Sequence, residues 1–499
     1  MLDADHPREA CGVFGVWAPG EQVANLVFYG LYALQHRGQE SAGMAVADGR
    51  GVLVYKEMGL VSQVFDEPTL ATLQGHLAIG HTRYSTTGGS SWENAQPAFK
   101  TNAAGGGIAL AHNGNLTNTA ALAASLAAGG TTEGSGEPQG GAPVDRGDGH
   151  GGAVRPSSDT DVMAELLARE ADLSLEEAIV RVMPRLEGAF SLVIMDERTL
   201  YGVRDRHGVR PLCIGKLPGG WVIASETAAL DIVGATLVRE VEPGEVVAID
   251  SHGLRARRFA PAEPRLCVFE HVYLARADST LAGQSVHQVR RALGAALAVE
   301  APVEADLVIP VPDTAWSAAA GYAEASGIPF GEGLMKNRYV GRTFIQPSQT
   351  MRQLGIRIKL NPLREAIRGL RLVVVDDSIV RGNTTKAIVA MLRKAGAREV
   401  HVRITSPPVR WPCFYGIDMP TRAELVASDL LTDEVASYVG ADSLGYLSLE
   451  ALTDTAAGTG DGPRQDKGLC TACFTGNYPI PVQAQVQGKE LLEGLAPRP

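Results

Sequence analysis

The sequence predicts two domains, a layered α+β domain followed by an α/β domain with a mainly parallel sheet. The chain has 499 residues, which is too long for one small core and fits two large domains. Short β-like segments separated by glycine fill the first part, with helical patterns between them. In the second part apolar strands alternate with helices, which is typical of a parallel sheet with crossover helices.

Hydrophobic periodicity places the elements of each domain. The strands predicted in the first domain lie at 13–17, 43–47, 76–85, 107–114, 189–196 and 221–226, and the helices at 22–35, 117–127 and 159–170. The strands predicted in the second domain lie at 306–312, 371–377 and 399–405, and the helices at 314–326 and 384–395.

Composition predicts where the ordered domains begin and end. Residues 128–158 are dominated by Gly, Pro, Ser and Thr. Such a segment buries too little apolar surface to offset its ordering entropy, so we interpret it as a mobile insertion in the first domain. We predict a leader at 1–10, domains at 11–255 and 256–480, and a peripheral tail at 481–499.

Charge and composition exclude several classes of protein. The net charge of −11 argues against a broad nucleic-acid footprint, which needs clustered Lys and Arg. The chain lacks an apolar run long enough to span a bilayer, and its start lacks the apolar core of a secretory signal. Its six cysteines are too few for a disulfide scaffold. We expect a cytoplasmic protein that binds neither nucleic acid nor membranes.

Three motifs in the first domain carry groups suited to amide hydrolysis. Cys11 begins a strand after a short polar leader, and if the leader is removed its own α-amine becomes an adjacent base of pKa about 7.7–8.0. Arg83 closes another strand and offers a planar fork for a carboxylate. The amide of Asn113 beside the N–H of Gly114 forms a potential oxyanion hole. The structural alternatives are a buried core cysteine, a surface arginine and a simple turn.

Together these motifs resemble the N-terminal-nucleophile glutaminase domain of the glutamine amidotransferases. The matching segments lie at 11–15, 34–43, 81–83, 112–114 and 158–161. The resemblance implies αββα layers. It also implies that the thiol of Cys11 attacks the side-chain amide of glutamine while Asn113 and Gly114 bind the oxyanion.

The same resemblance implies three glutamine-binding side chains, Arg83, Thr86 and Asp159. Arg83 would hold the α-carboxylate of glutamine and Asp159 its α-amine. Asp161 competes for the latter role, although its position within the motif favours Asp159.

A second chemical site follows an apolar strand in the second domain. Asp376 and Asp377 end this strand, and a turn rich in glycine and hydroxyl residues leads into a helix. Backbone N–H groups at a helix start bind phosphate, and Ser378, Thr384 and Thr385 add hydroxyl donors. The paired carboxylates suit ribose hydroxyls or hydrated Mg²⁺. Because the turn lacks the lysine pattern of a P-loop, ATP hydrolysis is disfavoured. A capped turn with solvated acids is the structural alternative.

This segment resembles the signature of the type I phosphoribosyltransferases. The candidate ligands of phosphoribosyl pyrophosphate in it are Asp376, Asp377, Ser378, Arg381, Gly382, Asn383, Thr384 and Thr385. Residues 310–314 resemble that family's pyrophosphate loop. Residues 336–345, with Lys336 and Arg338, resemble its flexible cover loop, which would neutralise the leaving pyrophosphate and exclude water. The resemblance implies Mg²⁺ held by substrate oxygens near Thr314, Asp376 and Asp377.

The order of the two domains resembles that of the amidophosphoribosyltransferases, over nearly the whole length from 11 to about 479. The resemblance implies that glutamine, water and phosphoribosyl pyrophosphate give glutamate, pyrophosphate and 5-phosphoribosylamine, the first committed step of purine synthesis. It further implies internal transfer of ammonia, feedback inhibition by purine nucleotides, and a homo-oligomer, either a tetramer or a dimer.

Four cysteines in the second domain form a separate candidate site. Cys470 and Cys473 are a CxxC pair, which on spacing alone is open between a redox dithiol, zinc and an iron–sulfur cluster. The segments around this pair, Cys267 and Cys413 resemble the amidophosphoribosyltransferase branch that has a [4Fe–4S] cluster and a cleaved leader. The resemblance implies four thiolate ligands with a structural or oxygen-sensing role. Cys213 has no such context, and we interpret it as a core residue.

Two other functions compete with this one. A glutaminase that passes ammonia to a sugar phosphate would not need the strand–Asp–Asp–turn segment. A phosphoribosyl pyrophosphate sensor that regulates transcription would need a basic DNA-binding face, which the acidic balance of the chain opposes.

Overall fold

The computed structural model describes residues 11–84, 91–102, 105–128, 158–170, 172–337, 359–419, 421–457 and 468–482. The predicted leader, Thr86, Arg338, and nearly all of the predicted insertion and tail lie outside the described residues.

Two antiparallel sheets form the centre of the first domain. Their strands are β1 (Gly12–Trp17), β2 (Ser41–Ala47), β3 (Val52–Met58), β4 (Leu77–Arg83), β5 (Ala98–Thr101), β6 (Gly107–Leu116), β7 (Gly188–Met195), β8 (Leu200–Arg204), β9 (Cys213–Leu217), β10 (Gly220–Ala224), β11 (Thr236–Glu240), β12 (Glu245–Asp250) and β13 (Gly253–Arg258). One sheet has the order β11-β9-β10-β1-β4-β2-β3 and the other β13-β12-β8-β7-β6-β5. Alternate apolar side chains, such as Val13, Ile79 and Val193, fill the space between the sheets.

Helices cover the outer face of each sheet. They are α1 (Val23–Ala33), α2 (Val61–Val64), α3 (Glu67–Thr72), α4 (Thr119–Ala128), α5 (Asp159–Ala168), α6 (Leu175–Val182) and α7 (Thr227–Ile232), with short 3₁₀ helices at Trp92–Asn94 and Met183–Arg185. Val23, Val27 and Leu31 recur at helical spacing, and this stripe packs α1 onto the first sheet beside α2 and α7. Helices α4, α5 and α6 pack on the second sheet. The layers are therefore αββα.

A four-stranded parallel sheet forms the centre of the second domain. The strands of this domain are β14 (Leu266–Cys267), β15 (Thr280–Leu281), β16 (Gln284–Ser285), β17 (Leu307–Pro310), β18 (Leu334–Lys336), β19 (Leu360–Pro362), β20 (Arg371–Asp376), β21 (Glu399–Ile404), β22 (Ser443–Tyr446) and β23 (Leu469–Cys470). The central sheet has the order β17-β20-β21-β22. Strands β14 and β23 pair in parallel, and β15–β16 and β18–β19 are small antiparallel pairs.

Both faces of the parallel sheet are covered, which explains the continuous apolar character of its strands. The helices of this domain are α8 (Val286–Glu300), α9 (Trp316–Ser326), α10 (Arg364–Ile367), α11 (Asn383–Ala395), α12 (Val426–Asp429), α13 (Thr432–Val439), α14 (Leu449–Ala457) and α15 (Ala472–Thr475), with a π-helix at Glu270–Leu274 and a 3₁₀ helix at Arg422–Glu424. On β20, Val373 and Val375 pack in the core with α8 and α9, whereas Leu372 and Val374 pack in the core with α11 and α13.

A buried network of charged side chains joins the two domains. Arg37 of the first domain pairs with Glu226 and with Glu270, and Arg210 pairs with Glu270 at 3.2 Å. These side chains are at most 1% exposed. Burial alone would raise the pKa of Glu226, but Arg37 and His36 hold it well below its ordinary value.

The predicted fold class is confirmed in both domains, because the first has antiparallel sheets and the second a parallel one. The domain boundaries stay predictions. Within the described part of the chain, none of the helices has both the length and the apolar composition that crossing a membrane requires.

Candidate active sites

Cys11 lies at the start of β1, beside the end of β4. Its Sγ donates to the carbonyl oxygen of Tyr84 at 3.4 Å and accepts from the Tyr84 N–H at 3.5 Å. The pairing of Gly12 with Thr82 brings Cys11 close to Arg83. Burial raises the pKa of the Cys11 thiol, and the hydrogen bond with Tyr84 and the charge of Arg83 only partly offset this effect. The thiol is therefore protonated at neutral pH and needs a base to react.

One cavity brings the predicted residues of the first site together. Cys11, Arg83, Gly114 and Asp159 all line it. Asn113 is fully buried beside them on β6, and neither polar atom of its side-chain amide has a hydrogen-bond partner among the described residues. A buried amide without hydrogen-bond partners destabilises the folded protein unless a ligand forms those hydrogen bonds. This is the condition expected of an oxyanion donor before substrate binds.

Asp159 provides a buried negative charge in this cavity. It is the first residue of α5, and its carboxylate accepts from the N–H groups of Leu116 at 3.2 Å and Thr160 at 2.7 Å. Burial alone would raise the pKa of Asp159, but nearby His112 and these N–H groups hold it below its ordinary value. Asp161 instead pairs with Lys100 at 2.8 Å, outside the lining of the cavity.

The carboxyl ends of β17 and β20 bring the predicted phosphoribosyl residues together. Asp376 ends β20 and Asp377 follows it, and both are 1% exposed. The hydroxyl of Thr314, which follows β17, donates to Asp377 at 2.5 Å, and that of Ser378 donates to the other oxygen of Asp377 at 2.7 Å. The parallel register of the two strands explains this contact between distant parts of the sequence.

The turn after β20 leads directly into α11, as predicted. Gly382 has a φ of +80° at the helix start, a conformation that favours glycine. Asn383, Thr384 and Thr385 form the first turn of α11, and the start of a helix is a usual place for phosphate to bind. Arg381 pairs with Glu424 at 3.1 Å.

Lys336 lies at the end of β18, where it is exposed and pairs with Asp313. Asp313 belongs to the predicted pyrophosphate loop, so the structure brings this loop and the start of the predicted cover loop together. Residues 338–345 of that cover loop are not among the described residues.

The four remaining predicted ligands, Cys267, Cys413, Cys470 and Cys473, line one cavity. The parallel pairing of β14 with β23 sets Cys267 opposite Cys470. The backbone N–H groups of Arg410 and Trp411 donate to the carbonyl oxygen of Cys473, both at 3.0 Å, which brings the Cys413 segment to the same place.

None of these four cysteines forms a disulfide. Burial raises the thiol pKa of Cys267 to about 11, and it raises those of Cys470 and Cys473 further. Among the described residues, no group of three or more His, Cys, Asp or Glu side chains is arranged to hold a metal ion.

Comparison with known proteins decides the family. Residues 148–231 match a family model described as a glutamine amidotransferase domain. An amidophosphoribosyltransferase of Mycobacterium tuberculosis is 59% identical over 502 residues, covering 98% of this chain and 90% of the relative. One of Bacillus subtilis is 46% identical and covers 95% of each chain. The chain belongs to the amidophosphoribosyltransferase family.

Two solved structures agree with this assignment to the amidophosphoribosyltransferases. A glutamine phosphoribosylpyrophosphate amidotransferase from B. subtilis, complexed with ADP and GMP, has a TM-score of 0.85 and 44% identity, covering 95% of this chain and 98% of that one. An allosteric regulatory enzyme of purine biosynthesis has a TM-score of 0.85 and 45% identity, covering 95% and 97%. The predicted family, enzyme class and purine-biosynthetic function are confirmed. These findings contradict both alternatives, the glutaminase that passes ammonia to a sugar phosphate and the sensor that regulates transcription.

Sequence reasoning missed part of the lining of the Cys11 cavity. Its lining also includes Tyr84, Asn94, Gln96, His112, Ser158 and Thr160. Four of these stand inside or beside the recognised motifs, so the motifs contained a signal for them. Asn94 ends a 3₁₀ helix and Gln96 follows it, and neither belongs to a motif. Gln96 reaches the site because its side chain accepts from the His112 N–H at 2.7 Å and donates to Thr160 at 3.0 Å.

Proposed function

We propose that this amidophosphoribosyltransferase converts glutamine, water and phosphoribosyl pyrophosphate into glutamate, pyrophosphate and 5-phosphoribosylamine, with ammonia passing internally between two sites. The observation that carries the proposal is the shared cavity of Cys11, Arg83, Gly114 and Asp159. The same chain also contains the contact between Thr314 and Asp377, where the proposed phosphate-binding turn begins.

In the glutaminase reaction, the Cys11 thiolate attacks the side-chain carbonyl of glutamine and ammonia leaves, after which water hydrolyses the thioester to glutamate. Removal of the predicted leader at 1–10 supplies the α-amine that accepts the thiol proton. Asn113 and Gly114 donate to the oxyanion.

Arg83 and Asp159, which both line the cavity, carry charges of opposite sign that select the α-carbon end of an amino acid. Arg83 binds the α-carboxylate of glutamine. Asp159 binds its α-ammonium group, because the carboxylate stays ionised at neutral pH. Thr86, which lies outside the described residues, is proposed as a further contact.

In the second reaction, ammonia attacks the anomeric carbon of phosphoribosyl pyrophosphate and pyrophosphate leaves. The hydroxyls of Ser378, Thr384 and Thr385 and the N–H groups of the α11 start, with Gly382 and Asn383, bind the 5-phosphate. Asp376 and Asp377 bind the ribose hydroxyls. Arg381, Lys336 and Arg338 are the proposed cationic contacts to the substrate phosphates.

Mg²⁺ fits this site, because Mg²⁺ is usually held by one or two carboxylates together with substrate oxygens and water. Thr314, Asp376 and Asp377 are the residues that would hold it, and when bound it neutralises charge on the leaving pyrophosphate.

The four-cysteine cavity provides the thiols of a [4Fe–4S] cluster, which is a larger group than the single metal ion for which the described residues show no arranged site. Its four thiols, from Cys267, Cys413, Cys470 and Cys473, line one cavity, and four thiolates are the usual ligands of such a cluster. We propose a structural or oxygen-sensing role, since neither reaction is a redox step.

Nucleotide inhibitors, an oligomeric state and a cellular location are also proposed. Purine nucleotides are proposed inhibitors, supported by the ADP and GMP in the similar B. subtilis structure. A homo-oligomer, either a tetramer or a dimer, is supported by Tyr29, Tyr32 and Ile232, which stay more than half exposed. A cytoplasmic location is supported by the six free cysteines.

An isotope experiment tests the proposed reaction. The enzyme is given phosphoribosyl pyrophosphate and glutamine labelled with ¹⁵N in the side-chain amide, in excess unlabelled ammonium at a pH where glutamine use dominates. We expect glutamate and pyrophosphate in equal amounts and ¹⁵N retained in 5-phosphoribosylamine. Label diluted to the level of the bulk ammonium would contradict internal transfer. Glutaminase activity that phosphoribosyl pyrophosphate does not stimulate would contradict the choice of acceptor.

A further inference from the structure

A loop of the second domain packs directly on the oxyanion glycine of the first. Gly416 has a φ of +101°, and a Cβ added there would lie 2.8 Å from the carbonyl carbon of Gly114 and 2.9 Å from its Cα. The two backbones are therefore in contact with no room for a side chain on Gly416.

The neighbours of Gly416 hold the same loop in place. The side-chain amide of Asn115, the residue after Gly114, donates to the carbonyl oxygen of Phe414 at 3.0 Å. Arg210 donates to the carbonyl oxygen of Tyr415 through two nitrogens, at 3.0 and 2.8 Å. The 414–416 segment is thus fixed to the first domain at three consecutive residues.

Gly114 is confined on its other side as well. It has a φ of +144°, and a Cβ added there would lie 2.0 Å from the carbonyl oxygen of Ala189 on β7. Gly114 is therefore held between β7 and Gly416. Its N–H direction depends on this confinement, and oxyanion donors act only when they are held in the correct direction beforehand.

We propose that the 414–416 segment is a positioning element of the glutaminase site, with Gly416 as the residue that sets the position of Gly114. The proposal rests on the oxyanion role of Gly114 given above. It means that the glutaminase half is completed by a loop of the phosphoribosyltransferase half.

Gly416→Ala in the full-length enzyme tests this role. The added methyl group displaces Gly114, and a displacement of about 1 Å costs on the order of 100-fold in rate. We expect kcat with glutamine to fall by about that factor and KM to change little, while activity with ammonia stays within about twofold of the parent. Gly327→Ala is the matched control, because Gly327 also has a positive φ (+72°) but has open space around its Cβ position.

A binding measurement separates positioning from general damage. The γ-aldehyde analogue of glutamine forms a tetrahedral adduct with Cys11 that places an oxyanion near Gly114, whereas glutamate does not. Gly416→Ala should weaken aldehyde binding by about the same factor as kcat and leave glutamate binding unchanged. Asn115→Ala, which introduces no clash, should produce a smaller loss of the same kind.

Three outcomes would overturn or redirect the proposal. Unchanged kcat and aldehyde affinity in Gly416→Ala would refute the positioning role, while loss of glutamine use in Cys11→Ala would still support the glutaminase assignment. Equal loss of the glutamine and ammonia activities in Gly416→Ala, with no effect of Asn115→Ala, would mean that the segment is only structural. Retained glutamine use in Cys11→Ala would refute the proposed function itself.

Discussion

Cys11 is a buried thiol whose pKa lies above its ordinary value. Because the thiolate is the nucleophile, such a thiol reacts slowly until a base removes its proton. The α-amine created by removal of the leader would sit on the same residue and has a reference pKa of about 7.7–8.0. Glutamine use should therefore depend on leader removal.

Cys11→Ala should abolish glutamine use and spare the other site. We expect the rate with glutamine to fall by about 10⁴-fold or more, while the rate with high ammonia is largely retained. Product formation with each nitrogen donor measures the split. Cys213→Ala is the control, because Cys213 is buried on β9 away from both sites and its Sγ donates to Ala224. Equal loss of both activities in Cys11→Ala would contradict two separable sites.

Asp159→Asn should raise the KM for glutamine. The change removes the charge that we assign to the α-ammonium group, and a hydrogen bond to a charged group contributes about 1.5–3 kcal/mol. We therefore expect a KM increase of about 10- to 100-fold with little change in ammonia-dependent activity. Asp161→Asn is the matched control, because Asp161 pairs with Lys100 outside the cavity. A larger effect of Asp161→Asn would reverse the assignment.

At the scale of elements, parallel strands bring distant residues to one edge. Strands β17 and β20 end side by side, so Thr314 meets Asp377 across 63 positions of sequence. The same geometry in the short β14–β23 pair sets Cys267 opposite Cys470. In both places the strand register, and not the local sequence, brings the proposed ligands together.

Asp377→Asn should reduce the activity with glutamine and with ammonia alike, because both use the phosphoribosyl site. We expect a loss of about 100-fold or more, measured as pyrophosphate release with each nitrogen donor. Asp306→Asn is the control. Asp306 precedes the opposite end of β17, where it pairs with Arg371, so both activities should persist. Selective loss of the glutamine activity in Asp377→Asn would contradict our assignment of Asp377.

Cys470→Ser should remove the iron–sulfur cluster proposed between β14 and β23. We expect iron and sulfide per chain to fall, the broad visible absorbance to disappear and the unfolding temperature to drop, since metal binding couples to folding. Cys213→Ser is the control and should keep all three properties. Anaerobically purified parent enzyme without iron would contradict the cluster itself.

At the scale of the whole molecule, the Arg37–Glu226–Glu270–Arg210 network ties the domains together. Every member is buried, so removing one partner leaves an uncompensated charge. The network also reaches the 414–416 segment, because Arg210 binds both Glu270 and the carbonyl oxygen of Tyr415. A continuous series of contacts therefore joins the domain interface to the cavity of Cys11.

Glu270→Gln should destabilise the protein by about 3–5 kcal/mol, because it leaves two buried arginines without their shared partner. Denaturant unfolding of the full chain measures the free energy change. Glu263→Gln, which breaks the exposed pair with Arg206, should change it by less than about 1 kcal/mol.

Acidification provides a second check on the network. The pKa of Glu226 is depressed in the folded state, so its contribution is present above the unfolded-state value of about 4.3 and is lost as the pH falls through the lower folded value. If the contribution of Glu226 to the free energy of unfolding were already lost between about pH 8 and pH 5, this expectation would be contradicted.

Sequence patterns alone predicted the fold class and the order of the domains, and they predicted Cys11, Arg83, Gly114 and Asp159, which meet in one cavity. Periodicity reports which side chains are buried, and motifs such as that around Cys11 and Asp376 keep their chemistry within a few neighbouring residues. The contacts of Gln96, Gly416 and Arg210 became visible only once the chain was folded. These residues act through contacts with parts of the chain far away in sequence, and such contacts depend on strand register and domain packing, which leave no local pattern.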